Sequence, residues 1–201
     1  MKEAIQQIRD FLAKKTVGIA GAGGLGSNCA VALARTGVGR IIVADFDIVE
    51  PSNLNRQYYF RHQLGIPKVL VLKENIRLID PGIEVEAHTV MLNPQNIPII
   101  YNECDVLIEA FDKAEMKQML IETALSQWPD RPLIAASGLA GWGMTEHITI
   151  KRFGNFVLAG DDVSETSAMN PPLGPRVAIL AGMEANIALE FMLEGFQFKQ
   201  Y

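Results

Sequence analysis

Apolar and polar positions follow two periods along this chain. Ile5, Ile8, Phe11 and Leu12 recur at helical spacing and predict a short amphipathic helix over residues 3–14. Residues 16–20 then form a compact apolar run bounded by turn signals, which predicts a strand. A glycine-rich turn opens a helix over residues 25–36, and residues 40–45 read as a second, buried strand, completing a βαβ unit. Ile66-Pro67-Lys68 starts a third helix, with Pro67 suited to the first helical position and Asp80-Pro81-Gly82 ending it. Strands follow at 84–90, 105–110 and 132–136, with a helix over 113–126 between the last two. After Gly143 the pattern changes: residues 146–152 and 155–159 have strand alternation around Phe153-Gly154, which predicts an antiparallel hairpin added to the parallel sheet. Residues 160–175 are polar and without period, and a closing helix spans 177–193. This order is that of an α/β, doubly wound, mostly parallel sheet extended by a hairpin, and no repeat or boundary divides residues 1–201.

Composition narrows the class. Of 201 residues, 49% are hydrophobic and 20% charged, ordinary for a soluble folded domain, so disorder is not expected. The net charge of −5 and the scattered Lys and Arg residues offer no field for a nucleic acid backbone, so nucleic acid is not an expected partner. No apolar stretch is long enough for a membrane span, and MKEAIQQIRD lacks the apolar region of a secretory signal; no membrane association and a cytoplasmic location are expected. Cys29 and Cys104 lie far apart with no C-x-x-C, which supports two buried thiols rather than a disulfide framework or a four-thiolate zinc site. His62, His88 and His147 fall in different elements, which speaks for packing or surface roles and against a metal cluster.

The candidate chemistry begins at GIAGAGGLGS, residues 18–27. Gly21, Gly23 and Gly26 fit G-x-G-x-x-G after a strand, a pattern open to a dinucleotide, to another phosphate ligand, or to close strand–helix packing alone. Backbone N–H groups and the helix dipole would stabilise a phosphate near Gly23 to Ser27. Asp45, 19 residues past Gly26, is placed to accept hydrogen bonds from ribose hydroxyls. The next residues decide against a redox cofactor. In DFDIVEPSNLNRQ, residues 45–57, Asn53 and Arg56 follow the ribose Asp, and Lys68 comes eleven residues after Gln57. These bring positive charge and donors toward a triphosphate, where they could stabilise a leaving pyrophosphate. Each alone reads equally as a surface charge. Asp112 follows a predicted strand at the end where open α/β sheets bind ligands, and its carboxylate suits Mg²⁺ or the N-cap of the next helix. Glu109 is a weaker candidate, its side chain pointing either into the sheet or away.

Taken together, G-x-G-G-L-G-S at 21–27, D-x-D-x-V-x-x-S-N-L-N-R-Q at 45–57, I-P-K-V at 66–69, the strand ending in Asp112 and P-L-G-P-R-V at 172–177 resemble the ThiF/MoeB adenylyltransferases of the ubiquitin-activating-enzyme superfamily, over nearly the whole chain. The short length and LNRQYYF look most like compact ThiF proteins, which activate the sulfur carrier of thiamine thiazole synthesis. The resemblance implies a single Rossmann-like adenylyltransferase domain, a homodimer, and the cofactors ATP and Mg²⁺. It implies that Gly21, Gly23, Gly24, Gly26 and Asp47 help to bind nucleotide, that Asp45 holds the ribose, and that Asn53 and Arg56 hold phosphates with support from Gln57. It implies further that Lys68 bridges phosphates and that Asp112 binds Mg²⁺, with Arg56, Lys68 and Asp112 the catalytic group. The implied reaction is adenylation of the C-terminal Gly-Gly carboxylate of a ubiquitin-like sulfur carrier protein. Activation of a molybdopterin sulfur carrier, a peptide or a tRNA would use the same nucleotide residues, and a non-catalytic nucleotide-binding protein is a further alternative. Two features of larger members are missing: the zinc-binding C-x-x-C pairs, so no zinc is expected, and a cysteine in the loop before the closing helix. Arg9 is the stand-in for an arginine that many members supply from the partner subunit. The 160–175 stretch is expected to be a mobile loop that closes over the carrier tail, or else a solvated linker.

Overall fold

A computed structural model describes residues 2–198. Its elements are α1 (Lys2–Leu12), β1 (Thr16–Ala20), α2 (Gly24–Thr36), β2 (Arg40–Ala44), α3 (Lys68–Ile79), β3 (Glu84–His88), α4 (Ile97–Ile100), β4 (Val106–Glu109), α5 (Ala114–Gln127), β5 (Leu133–Ser137), β6 (Thr149–Phe153), β7 (Phe156–Gly160) and α6 (Gly174–Met192). The seven strands lie in the order β3-β2-β1-β4-β5-β7-β6; all neighbours are parallel except β6 and β7, which pair antiparallel. The doubly wound sheet with its appended hairpin is therefore the architecture the periodicity predicts.

Side-chain alternation divides the core. Val17, Ile19, Ile41, Val43, Val106 and Ile108 point to one face, under α2, α3 and α6. Gly18 and Ala20 of β1, with Ile42, Ala44 and Leu107, point to the other, where Ile97, Tyr101, Leu120 and Ala124 cover them. Because both faces are covered, the central strands read as continuous apolar runs rather than as alternating ones. The strand order reverses between β1 and β4, which pair in parallel from Val17–Val106 to Ala20–Glu109. Connections leave these two strands on opposite sides and open a crevice at their C-terminal ends.

Local differences from the sequence reading have local causes. Residues 146–148 are not strand: Met144 is left-handed (φ 49°) and a 3-10 turn over Thr145–His147 follows, so β6 starts only at Thr149. Pro67 is the N-cap of α3 rather than its first residue, held by the bridge between Ile48 and Pro67. Lys113, not Asp112, is the N-cap of α5, and no side chain caps that helix. The short α4 and the 3-10 turns at Pro51–Asn53 and Arg61–Gln63 have no periodic signal, being too short to show one.

Candidate active site

The crevice is built around the glycine turn between β1 and α2. Gly21 has φ +104°, in the region open to glycine. A Cβ on Gly26 would lie 1.9 Å from the Gly21 carbonyl oxygen, so Gly26 lets α2 sit directly on the turn. A Cβ on Gly24 would meet Val177 at 2.9 Å and the Arg56 stem at 3.6 Å, which brings the start of α6 and the Arg56 side chain to the same spot. Gly23 differs: nothing but the Gln57 amide nitrogen, at 4.0 Å, approaches the place of its Cβ. Gly21, Gly24 and Gly26 are spent on protein packing, and Gly23 alone leaves space in which a ligand could approach the backbone at the positive end of α2.

Asp45 ties this turn to the rest of the site. One carboxylate oxygen accepts the Ala22 amide at 2.6 Å and the other accepts the Asp47 amide at 2.8 Å. Asp47 in turn accepts the Lys68 ammonium at 2.7 Å, and the Lys68 amide donates to the Asp47 carbonyl at 2.9 Å. Lys68 is the first residue of α3 and its side chain is only 6% exposed, against 49% for Asp47. Together with Ile48, Glu50 and Asn53 they line a pocket of about 120 Å³. Asn53 is buried, and its Oδ1 accepts the Glu50 amide at 2.9 Å.

Arg56 lies half-buried across the N-terminus of α2 and donates to the Ser52 carbonyl and to Asn55 Oδ1. Burial lowers its guanidinium below the ordinary value, against the attraction of the Asp112 carboxylate across the crevice. Asp112 is exposed at the end of the turn after β4 and makes no hydrogen bond or ion pair among the described residues. Gln57 is 8% exposed and its Oε1 has no partner, a buried acceptor beside Gly23 awaiting a donor.

Several contacts of this arrangement are not legible in the sequence, although Ser27 and Tyr59 lie within its motifs. Tyr59 donates its hydroxyl to the Ala22 carbonyl at 2.7 Å. Asn28 donates to the carbonyls of Gly24 and Arg56, and Ser27 Oγ accepts the Tyr58 amide. These three clamp residues 56–59 onto α2, and only a partner far away in sequence reveals each of them.

Two candidates fall elsewhere. Glu109 is fully buried and paired with Lys117 at 2.8 Å under α5, away from the pocket. Arg9 of this chain pairs with Asp80 at 2.6 Å beside Gly37 and Gly39, at the opposite end of the strands. Cys29 and Cys104 are both buried free thiols; burial pushes Cys29 well up and Cys104 up to about 12, so neither is a thiolate nucleophile. Among the described residues no three His, Cys, Asp or Glu side chains are grouped to hold a metal by themselves, and no helix is long and apolar enough to cross a membrane.

Known proteins share this framework. A sulfur carrier protein adenylyltransferase of Thermus thermophilus is 35% identical over 118 residues, 58% of this chain and 44% of that protein. A tRNA threonylcarbamoyladenosine dehydratase of Bacillus subtilis is 36% identical over 141 residues, 69% of this chain and 53% of that protein. The chain spans between 20% and 53% of the length of such curated relatives, the lower figure being for a ubiquitin-like modifier-activating enzyme 5 of Branchiostoma floridae. In three dimensions the crystal structure of the E. coli tRNA N6-threonylcarbamoyladenosine dehydratase in complex with AMP matches with a TM-score of 0.85 over 94% of this chain and 90% of that one; at 22% identity this is a likeness of fold. The profile of the ThiF family matches residues 2–200. With the glycine turn, the Asp45–Lys68 chain of contacts and Arg56 all inside that match, the chain belongs to the ThiF family.

Proposed function

We propose that this chain is an ATP-dependent adenylyltransferase acting on a carboxylate, with the Gly-Gly terminus of a ubiquitin-like sulfur carrier as substrate. The observation that carries the reading is the open backbone at Gly23 with the Arg56 stem against the adjacent Gly24, the Lys68 ammonium in the pocket after β2 and Asp112 facing Arg56, the parts a triphosphate requires. Asp45 would receive the ribose hydroxyls on lone pairs left free by its two amide contacts. Asn53, Gln57, Arg56 and Lys68 would hold the phosphates, and the orphaned Gln57 Oε1 would find a donor in the occupied site. Mg²⁺ fits a site with one exposed carboxylate, because that ion commonly takes one or two carboxylates with phosphate oxygens and water. Asp112 would hold it, and the ion would neutralise phosphate charge.

The chain's own residues then align the reactants. The carboxylate oxygen of the carrier attacks the α-phosphorus, the bond from the α-phosphorus to the bridging oxygen breaks, and pyrophosphate leaves with that electron pair. No proton needs to move and no Ser, Cys or His nucleophile is needed. Arg56 and Lys68 would stabilise the charge on the departing pyrophosphate. The whole chain would act as one such domain in a cytoplasmic homodimer, with the exposed Ile66, Leu70 and Leu78 of the α3 region as contact surface. A ThiS-like carrier of thiamine synthesis is the first substrate to try. A second reading has its own support: the likeness to dehydratases named for a modified tRNA nucleoside points to the same activation of a nucleoside-borne carboxylate.

ATP–pyrophosphate exchange with a panel of carriers and tRNA distinguishes the two readings. Exchange that depends on a carrier and falls about 10²–10³-fold in Arg56→Ala and Asp112→Ala is expected. Exchange dependent on tRNA alone selects the second reading. Tight NAD binding with no heat from MgATP overturns both.

A further inference from the structure

Glu109 is a puzzle for a residue of a central strand. It closes β4, three positions before Asp112, with none of its surface exposed. Burial raises its carboxyl against the pull of Lys117 and the Phe111 amide, a desolvation cost that a leucine filling the same space would not carry. The carboxylate is fully used. Oε1 accepts the Phe111 amide at 2.6 Å and the Lys117 ammonium at 3.1 Å, and Oε2 accepts Lys117 at 2.8 Å. Lys117, on α5, also donates to the Ala136 carbonyl of β5 at 3.1 Å. One ion pair, buried on the Glu109 side, thus joins the end of β4, the turn that follows, the first part of α5 and the end of β5.

The turn it joins is the one that carries Asp112; the Phe111 ring packs on the core before it and the Lys113 carbonyl accepts the Met116 and Lys117 amides after it, but the Asp112 side chain itself is untethered. Among the described residues Asp112 makes no hydrogen bond, Lys113 caps α5 without a side-chain bond, and Ala114 begins the helix with both neighbours exposed. On the strand side of the turn the Ala110 amide is bonded to the Ala20 carbonyl. The Phe111 amide, adjacent to Asp112 in the chain, is held only by Glu109.

Resting on the reading of Asp112 as the Mg²⁺ residue, we propose that Glu109 and Lys117 are positioning residues that set the Asp112 carboxylate for the metal through the Phe111 amide. They touch neither nucleotide nor metal. The burial of Glu109 is then explained by the need to fix one peptide group on a turn that must leave its own carboxylate bare for an ion. Ligand-orienting contacts of this outer kind are worth about 10–100-fold in metal affinity.

Binding of Mn²⁺ in the presence of ATP, followed by electron paramagnetic resonance, tests this without knowledge of the carboxylate substrate, with ATP affinity in EDTA measured beside it. Glu109→Leu and Lys117→Met should each weaken Mn²⁺ about 10-fold or more while metal-free ATP affinity stays at the wild-type value. Glu109→Gln, which keeps an oxygen for the Phe111 amide, should recover most of the loss, and exchange of the Phe111 amide should rise in Glu109→Leu and Lys117→Met but not in Glu109→Gln. Unchanged Mn²⁺ affinity in folded Lys117→Met, beside a weakened Asp112→Asn, overturns the proposal alone. Equal losses of Mn²⁺ and metal-free ATP affinity also overturn it, since they mark general damage to the site. Unchanged affinity in Asp112→Asn overturns the parent assignment and this inference together.

Discussion

Lys68 begins α3 with its ammonium nearly enclosed, and the group that meets it is a carboxylate of the same loop, Asp47. A phosphate arriving at Lys68 must share or displace that carboxylate, and at short range the two anions repel. On the proposed function, Asp47 would serve as the counter-ion of Lys68 before nucleotide binds and would lower the affinity for a triphosphate. Asp47→Asn should tighten ATP binding about 3–10-fold, the size of a half-exposed ion pair, by calorimetry at low salt. Weaker binding would mean that Asp47 serves the nucleotide or its metal directly. At this scale Asp45, Asn53, Arg56 and Lys68 could be singled out from the sequence because charged and polar side chains crowd a short segment between a strand and a helix, and Asp112 because it follows a strand at the end where such sheets bind ligands. The pairing of Lys68 with Asp47 could not, since nothing in a sequence states which of several carboxylates a lysine will meet. Glu109 was ambiguous for a related reason: in a strand covered on both faces, neighbours of either parity are apolar, and the parity of one carboxylate cannot be told from theirs.

Among the elements, the stretch between β7 and α6 departs most from expectation. Its composition predicts a loop without local structure, and it does contain neither helix nor strand. Yet it is anchored. Arg176 in the first turn of α6 is buried and donates to Asp161, to the Gly143 carbonyl and to Ser164 Oγ, and Gly141 donates to the Pro171 carbonyl at 3.0 Å. The pair joins the 161–173 segment and the 138–144 loop into one body above the crevice. Burial works to raise the Asp161 carboxyl, but the Ser164 hydroxyl, the Ser164 and Val163 amides and the Arg176 charge outweigh it and hold the group below its ordinary value. A carboxyl depressed in the folded state contributes stability above its unfolded value and loses it as pH falls through the folded one. Asp161→Asn should thus be most destabilised relative to wild type near neutral pH, with the difference shrinking in acid. Arg176→Met leaves Asp161 buried without its cation and should cost about 3–5 kcal/mol in urea unfolding, with new cleavage at residues 161–173 in limited proteolysis. Wild-type stability and cleavage in Arg176→Met would show the pair to be dispensable. The anchor was hidden from sequence because its partners lie 15 and 33 residues apart, in segments with no period of their own.

For the molecule as a whole, the costliest group in the core is Glu184. It lies on α6 with no exposure, and neither carboxylate oxygen has a partner. Burial, with the nearby Glu109 charge, pushes its carboxyl well above the ordinary range, and only Lys117 works against them. The sign follows from linkage: the folded protein keeps this proton where the unfolded chain has lost it, so stability falls as pH rises past the ordinary carboxylate range toward the folded value. Glu184→Gln should remove that dependence, so that the variant's Tm gains on wild type between about pH 5 and pH 8, carboxylates being unfolded-state anions throughout. Parallel Tm curves across that range would refute the assignment.

The order of strands and helices, the glycine turn and the crowding of polar groups after β2 were determined by sequence alone. These are encoded in short segments, where the period of burial and the need for small residues act locally. Tertiary structure alone decided which glycine remains open, which carboxylate guards Lys68, which holds the Asp112 turn and which lies stranded in the core. Those outcomes depend on distances between residues remote in the chain and on the removal of water around them. Only the assembled sheet, with helices closed over both faces, sets those distances and excludes that water.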